Sequence, residues 1–110
     1  MKDCLFCKIA NKELESTIVY EDNEFLGMKD INPISPVHVL IIPKKHIESI
    51  DKMEEGDIQT IGRLFLIAKK IGREQNVAED GYRLVINVGK AGHIDHLHLH
   101  LLGGKKLQWP

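Results

Sequence analysis

With 110 residues the chain has room for one domain and little for a second. Hydrophobic residues make up 43% and charged residues 28%, and fifteen Lys and Arg against sixteen Asp and Glu leave a formal charge of −1. That balance excludes nucleic-acid binding through a broad basic field, but not a small phosphorylated ligand held by local groups.

The opening residues, "MKDCLFCKIANKELES", lack the apolar core of a signal peptide, and no apolar run reaches membrane-spanning length. The expectation is a cytoplasmic protein with no membrane partner, in which Cys4 and Cys7 serve as thiols or metal ligands rather than as a disulfide. "CLFCKIANKEL", residues 4–14, reads as a short first helix. "TIVYED" and "EFLGMKD" read as strands joined at Asp22-Asn23. "INPISP" follows, where Pro33 and Pro36 bar regular structure. "VHVLIIP" gives a third strand over 37–42, apolar enough to lie centrally in a sheet, with Pro43 ending it. Asp51 and Glu54 stand at capping-box spacing ahead of the one long helix. Its apolar stripe is Ile58, Ile61, Leu64, Phe65, Ala68 and Ile71, at steps of three and four. Lys69, Lys70 and Arg73 suit the negative end of its dipole. Asp80-Gly81 turns the chain into a fourth strand, "YRLVINV", and residues 96–102 form a fifth. The sum is an α+β domain over 1–110: a five-stranded, mostly antiparallel sheet with one long and one short helix.

The fifth strand, "HLHLHLL", carries three of the six histidines at every second position. Alternate strand residues point to opposite faces, so Leu97, Leu99 and Leu101 cover a core while His96, His98 and His100 line up on the other side. Rings two residues apart sit about 6.5 to 7 Å apart, so one can attack a phosphorus while the next holds an oxygen or serves the leaving group. Repulsion between neighbouring positive charges favours the neutral, nucleophilic form of the central ring. His-x-His is equally a good chelate, and zinc enzymes use three histidines and a water. The row by itself leaves nucleophile and metal site level.

"CLFCKI", "DINPISPVHVLIIPKKHI" and "HLHLHLLGG" together resemble the histidine-triad (HIT) family, in its Hint branch of nucleoside phosphoramidases. Residues 96–102 match the family signature of histidines and apolar residues at every position, and the likeness runs to the closing "LQWP". It implies a HIT-like fold and a hydrolase acting on purine nucleoside 5′-phosphoramidates or related nucleotidyl conjugates. His98 would attack the α-phosphorus to form a nucleotidyl-histidine, with its Nδ1–H held by the carbonyl of His96. His100 would bond the phosphate or the leaving atom, and no metal is required for the chemistry. Asp30 matches the acid that binds ribose hydroxyls; read without the likeness, it caps a turn. Phe6, Ile9, Met28 and Ile31 match the base-sandwiching apolar positions, and on pattern alone all four read as core. Asn87 matches a residue near the α-phosphate. The loop "VGKAGHID" is shorter than usual for the family, so Gly92 offers a backbone N–H while the usual hydroxyl donor has no counterpart; His93 fills that place or faces solvent.

The resemblance further implies a structural zinc on Cys4, Cys7, His46 and His96, with two reduced thiols as the plain alternative. It also implies a homodimer through the long helix and fourth strand, with Trp109 reaching toward the partner's site. Two other functions compete with the hydrolase: a nucleotide-binding regulatory module of low activity, for which the short loop speaks, and a metalloprotein whose triad itself holds an ion.

Overall fold

A computed structural model describes residues 4–108. In chain order the elements are α1 (Leu5–Ala10), β1 (Ile18–Glu21), β2 (Phe25–Lys29), β3 (Val37–Pro43), α2 (Ile58–Glu74), β4 (Tyr82–Val85) and β5 (Leu99–Gly103). Short 3-10 turns stand at Ile50–Lys52, Glu55–Asp57 and Gly89–Ala91. The strands form one sheet in the order β1-β2-β3-β5-β4, and every neighbouring pair is antiparallel. The expected α+β architecture is therefore present, wholly rather than mostly antiparallel. Among the described residues no helix is long and apolar enough to cross a membrane.

Several boundaries differ from the pattern, each for a local reason. The first helix ends at Ala10 instead of continuing to 14, because Asn11 caps it and Lys12 takes a left-handed φ of 65°. The capping box is Glu54 with Asp57, on the 3-10 turn that leads directly into the long helix, not Asp51 with Glu54: the same spacing recurs three residues on, and Asp51 sits in the preceding 3-10 turn. Asp57 accepts from the Glu54 backbone N–H at 3.0 Å and from Lys45 Nζ at 2.7 Å, so two cationic or dipolar donors fix one carboxylate. The fifth strand begins at Leu99 rather than at 96, and the fourth stops at Val85 rather than at 88. Its last partner is His100, so residues 86–88 have no strand beside them.

Each face of the sheet has its own core. On one, Leu64, Ala68 and Ile71 of α2 pack against Phe25, Val39, Ile41, Leu97, Leu99 and Leu101. The helix approaches closely: a Cβ on Gly27 would lie 3.0 Å from Ile71, and one on Gly72 would lie 2.7 Å from the Tyr82 ring. Of the expected stripe, Ile61 is half-buried, while Ile58 (65%) and Phe65 (42%) are exposed. They flank the buried arc instead of joining it, because the sheet covers only one side of the helix. On the opposite face, α1 seals a smaller core of Phe6, Ile9, Leu26, Met28, Leu40 and Ile42. This second face also carries the polar side chains.

Candidate active site

Strand register sets out the polar face. His38 and Arg83 both lie opposite Leu102, and Leu40 and Val85 both lie opposite His100. Directly opposed residues share a face, so His38, His100 and Arg83 stand on the α1 side while Leu99 and Leu101 turn to the α2 core. The three leucines of the alternating run are all buried there, as their period predicts. The three histidines do face the other way, but only His100 lies within the strand. Pro43 ends β3, and its carbonyl accepts from His96 Nε2–H at 2.7 Å. The ring of His96 thereby takes up an acceptor at the point where the ladder stops.

That bond fixes the tautomer of His96: its proton is on Nε2, so the Nδ1 lone pair is free. Nδ1 lies 3.2 Å from Cys4 Sγ and 3.5 Å from Cys7 Sγ, and His46 Nδ1 lies 3.3 Å from Cys7 Sγ. The four ligand atoms lie within 4.8 Å of one another. Two sulfurs and two imidazole nitrogens at these spacings fit a closed tetrahedral zinc site, where Zn–S is about 2.3 Å and Zn–N about 2.0–2.1 Å. Burial, then hydrogen bonding and repulsion from Cys4, push the Cys7 thiol up to about 11, so a cation entering the site would have to displace protons. Burial also holds His96 neutral, down to about 4, which suits a ligand.

Turning the other way, the backbone carbonyl of His96 accepts from His98 Nδ1–H at 2.7 Å. This leaves Nε2 as the lone-pair nitrogen of His98. The ring is buried against Phe6, with centroids 5.1 Å apart, and lies beside His100 at 5.0 Å. A second chain of bonds fixes His100. The Ile34 N–H donates to His38 Nδ1 at 3.2 Å, so the His38 proton is on Nε2, which donates to His100 Nδ1 at 2.9 Å. His100 must then carry its own proton on Nε2. Burial, followed by repulsion from His98 and His38, holds His100 down to about 4, and burial also lowers His38 against the pull of Asp30. Both rings are neutral at pH 7. Sequence reasoning missed His38; its signal was the position two before Leu40 on a strand, but only the β3–β5 register reveals its partner.

His98 and His100 line a cleft of about 1020 Å³, at the upper end of the range for small-molecule sites. Phe6, Asp30, Asn87 and His93 line it too. Ile9 and Met28 lie beneath it, in the α1-side core, and Ile31 is 87% exposed and off its walls. Gly92 differs from expectation: its N–H donates to Gly89 O at 3.0 Å inside the 3-10 turn, so it is not a free donor, and the residue does not line the cleft. Asp30 Oδ1 caps a turn by accepting from Asn32 N–H at 2.8 Å, while Oδ2 lies 3.4 Å from His38 Nε2. Its plain and its functional readings are thus compatible. Trp109 lies outside the described residues. The triad does not converge on one ion: its three Nδ1 atoms go to the cysteines, to a carbonyl and to His38. Asp30, His38 and His100 cluster as well, yet the His38 and His100 rings meet nearly head-on, centroids 5.2 Å apart, as a shared proton requires.

Comparison with known proteins identifies the family. Residues 3–108 match the family described as "Scavenger mRNA decapping enzyme C-term binding". The chain is similar to a 14 kDa zinc-binding protein of Zea mays, at 46% identity over 96% of this chain and 85% of that one. It is similar also to adenylylsulfatase HINT1 of Arabidopsis thaliana, at 43% identity over 96% of this chain and 74% of that one. The crystal structure of a HIT family hydrolase from Legionella pneumophila Philadelphia 1 matches with a TM-score of 0.96 and 44% identity, covering 98% of each chain. The chain belongs to the HIT family, among nucleotide-binding hydrolases with Hint-like members.

Proposed function

We propose that this chain hydrolyses purine nucleoside 5′-phosphoramidates or related nucleotidyl conjugates through a nucleotidyl intermediate on His98. The observation that carries the reading is the tautomer of His98: Nδ1–H is held by the His96 carbonyl, and the remaining nitrogen belongs to a ring on the wall of the cleft. In the first step the Nε2 lone pair forms a bond to the α-phosphorus, the P–N bond breaks, and its electron pair leaves on the amine nitrogen. The phosphate's negative charge beside His100 offsets the burial that keeps this ring neutral, raising its proton affinity in the complex. His100 then supplies a proton to the departing nitrogen. In the second step water attacks phosphorus, its proton returns to His100, and the P–N bond to His98 breaks. One water is consumed, and a nucleoside monophosphate and a free amine are released. Asp30 would accept from the ribose hydroxyls and Phe6 would pack on the base, with Ile9 and Met28 supporting it from the core, while Ile31 stands too far out for the base contact that the resemblance implies. Asn87 and His93 would face the phosphate.

Zinc on Cys4, Cys7, His46 and His96 would be structural: it fixes the residue whose carbonyl orients the nucleophile. Reduced thiols there agree with a cytoplasmic setting. The chain would act as a homodimer, because Ile58, Phe65 and Leu66 form an exposed apolar face on α2 and β4 is an edge of the sheet. A nucleotide-binding module of low activity is the second reading, supported by the engaged N–H of Gly92.

The test is His98→Ala with adenosine 5′-phosphoramidate. Turnover is expected to fall by more than about 10³-fold while AMP still binds. Undiminished turnover would remove the covalent route. An inactive wild type that binds AMP would favour the module.

A further inference from the structure

One wall of the cleft plays no part in the chemistry above. It is formed by Arg83 of β4 and by Lys105 and Lys106, just beyond β5. Resting on the hydrolase reading, we infer that these three cations form a leaving-group subsite that selects nucleotidyl conjugates whose departing group is negatively charged.

Position is the first argument. Across the sheet face the order is acid, imidazoles, cation. Asp30 adjoins β3 through its N–H to the His38 carbonyl, His100 comes next on β5, and Arg83 stands on β4, beyond it. A nucleotide with its ribose at Asp30 and its phosphorus at His98 and His100 would have β4 and the tail on the side away from its ribose. The tail is aimed there by the chain itself. Gly104 turns it with a left-handed φ of 89°, where a Cβ would meet Pro36 at 3.0 Å, and Arg83 Nη1 donates to the Gln108 carbonyl.

Charge is the second. Among the described residues Lys12 and Lys44 share the Glu21 carboxylate, Lys45 pairs with Asp57 and Arg63 with Glu24; Arg83, Lys105 and Lys106 are outside these pairs, and they are the lysines and arginine that line the cleft. Three cations on one concave wall of a chain with net charge −1 concentrate potential where the leaving group would lie. The chemistry agrees. A sulfate, a phosphate or the carboxylate of an amino acid lies within a few bonds of the scissile atom, inside the Debye length of roughly 8–10 Å. The attraction is present in bound substrate and transition state alike, so it acts mainly on KM.

The experiment compares the adenosine 5′-phosphoramidates of β-alanine and of β-alaninamide, which share the P–N bond and differ by one carboxylate. The wild type is expected to favour the charged conjugate in kcat/KM by about tenfold in low salt, chiefly through KM. The ratio should collapse toward one in high salt and in an Arg83→Gln, Lys105→Gln, Lys106→Gln variant. Lys105→Gln with Lys106→Gln, at two exposed positions, provides a folded intermediate case. A ratio that the substitutions leave unchanged, or a wild-type preference for the neutral conjugate, overturns the subsite. Should neither conjugate be cleaved, the hydrolase reading fails, and the same ratio is then read from the two dissociation constants, with the same outcomes for and against.

Discussion

His100 is held neutral by its surroundings, and that has a measurable consequence for stability. In the unfolded chain its imidazole takes up a proton as the pH falls through about 6.5, whereas in the folded protein it does so only near 4. Across that window the unfolded state binds more protons, so stability declines as the solution is acidified and is fully present above it. His100→Asn keeps an acceptor for His38 Nε2–H and removes the titration. Urea midpoints between pH 7 and 5 should therefore fall less steeply in this variant than in the wild type. Equal slopes would show that His100 titrates normally. At this scale the sequence was legible where one residue type has one use: imidazoles in alternation, thiols three apart. It was not legible for His38 or Arg83, ordinary strand residues whose meaning comes from a register with a strand far along the chain. Gly92 misled in the opposite sense, since composition shows that an N–H exists and not that a turn has already engaged it.

Among the elements, strands and helices were readable from period and punctuation, but their ends were not. The two candidate capping boxes have identical spacing, and spacing does not reveal that Asp57 of the second also pairs with Lys45. Likewise the apolar stripe of α2 could be seen, but not which of its edges the sheet would cover. Gly72 shows how tightly that helix is seated. Alanine there would gain about 1 kcal/mol in helix propensity, but its methyl would enter the Tyr82 ring, and overpacking costs typically 1–3 kcal/mol. The expectation is that Gly72→Ala lowers the unfolding free energy in urea by about 1 kcal/mol. A stabilised variant would mean that β4 and α2 can separate freely.

For the whole molecule, family and sheet were recoverable because the triad and the proline-bearing segment from Asp30 to His46 are specific, while assembly was not, since a single chain shows only which faces are uncovered. Native mass spectrometry tests metal and assembly together. Two chains with two zinc ions are expected, a chelator should remove the zinc and lower the melting temperature, and Leu66→Asp should leave a zinc-loaded single chain. A metal-free monomer in the wild type would contradict both.

The segment that presents the imidazoles is one peptide layer thick: Leu97, Leu99 and Leu101 on its far side are locked into the α2 core. The aim of the rings is therefore set by hydrocarbon that no substrate touches. Any slackening of that packing, by warming or by trimming a methyl, reaches the cleft within a single residue, and turnover should fade some degrees before the chain unfolds.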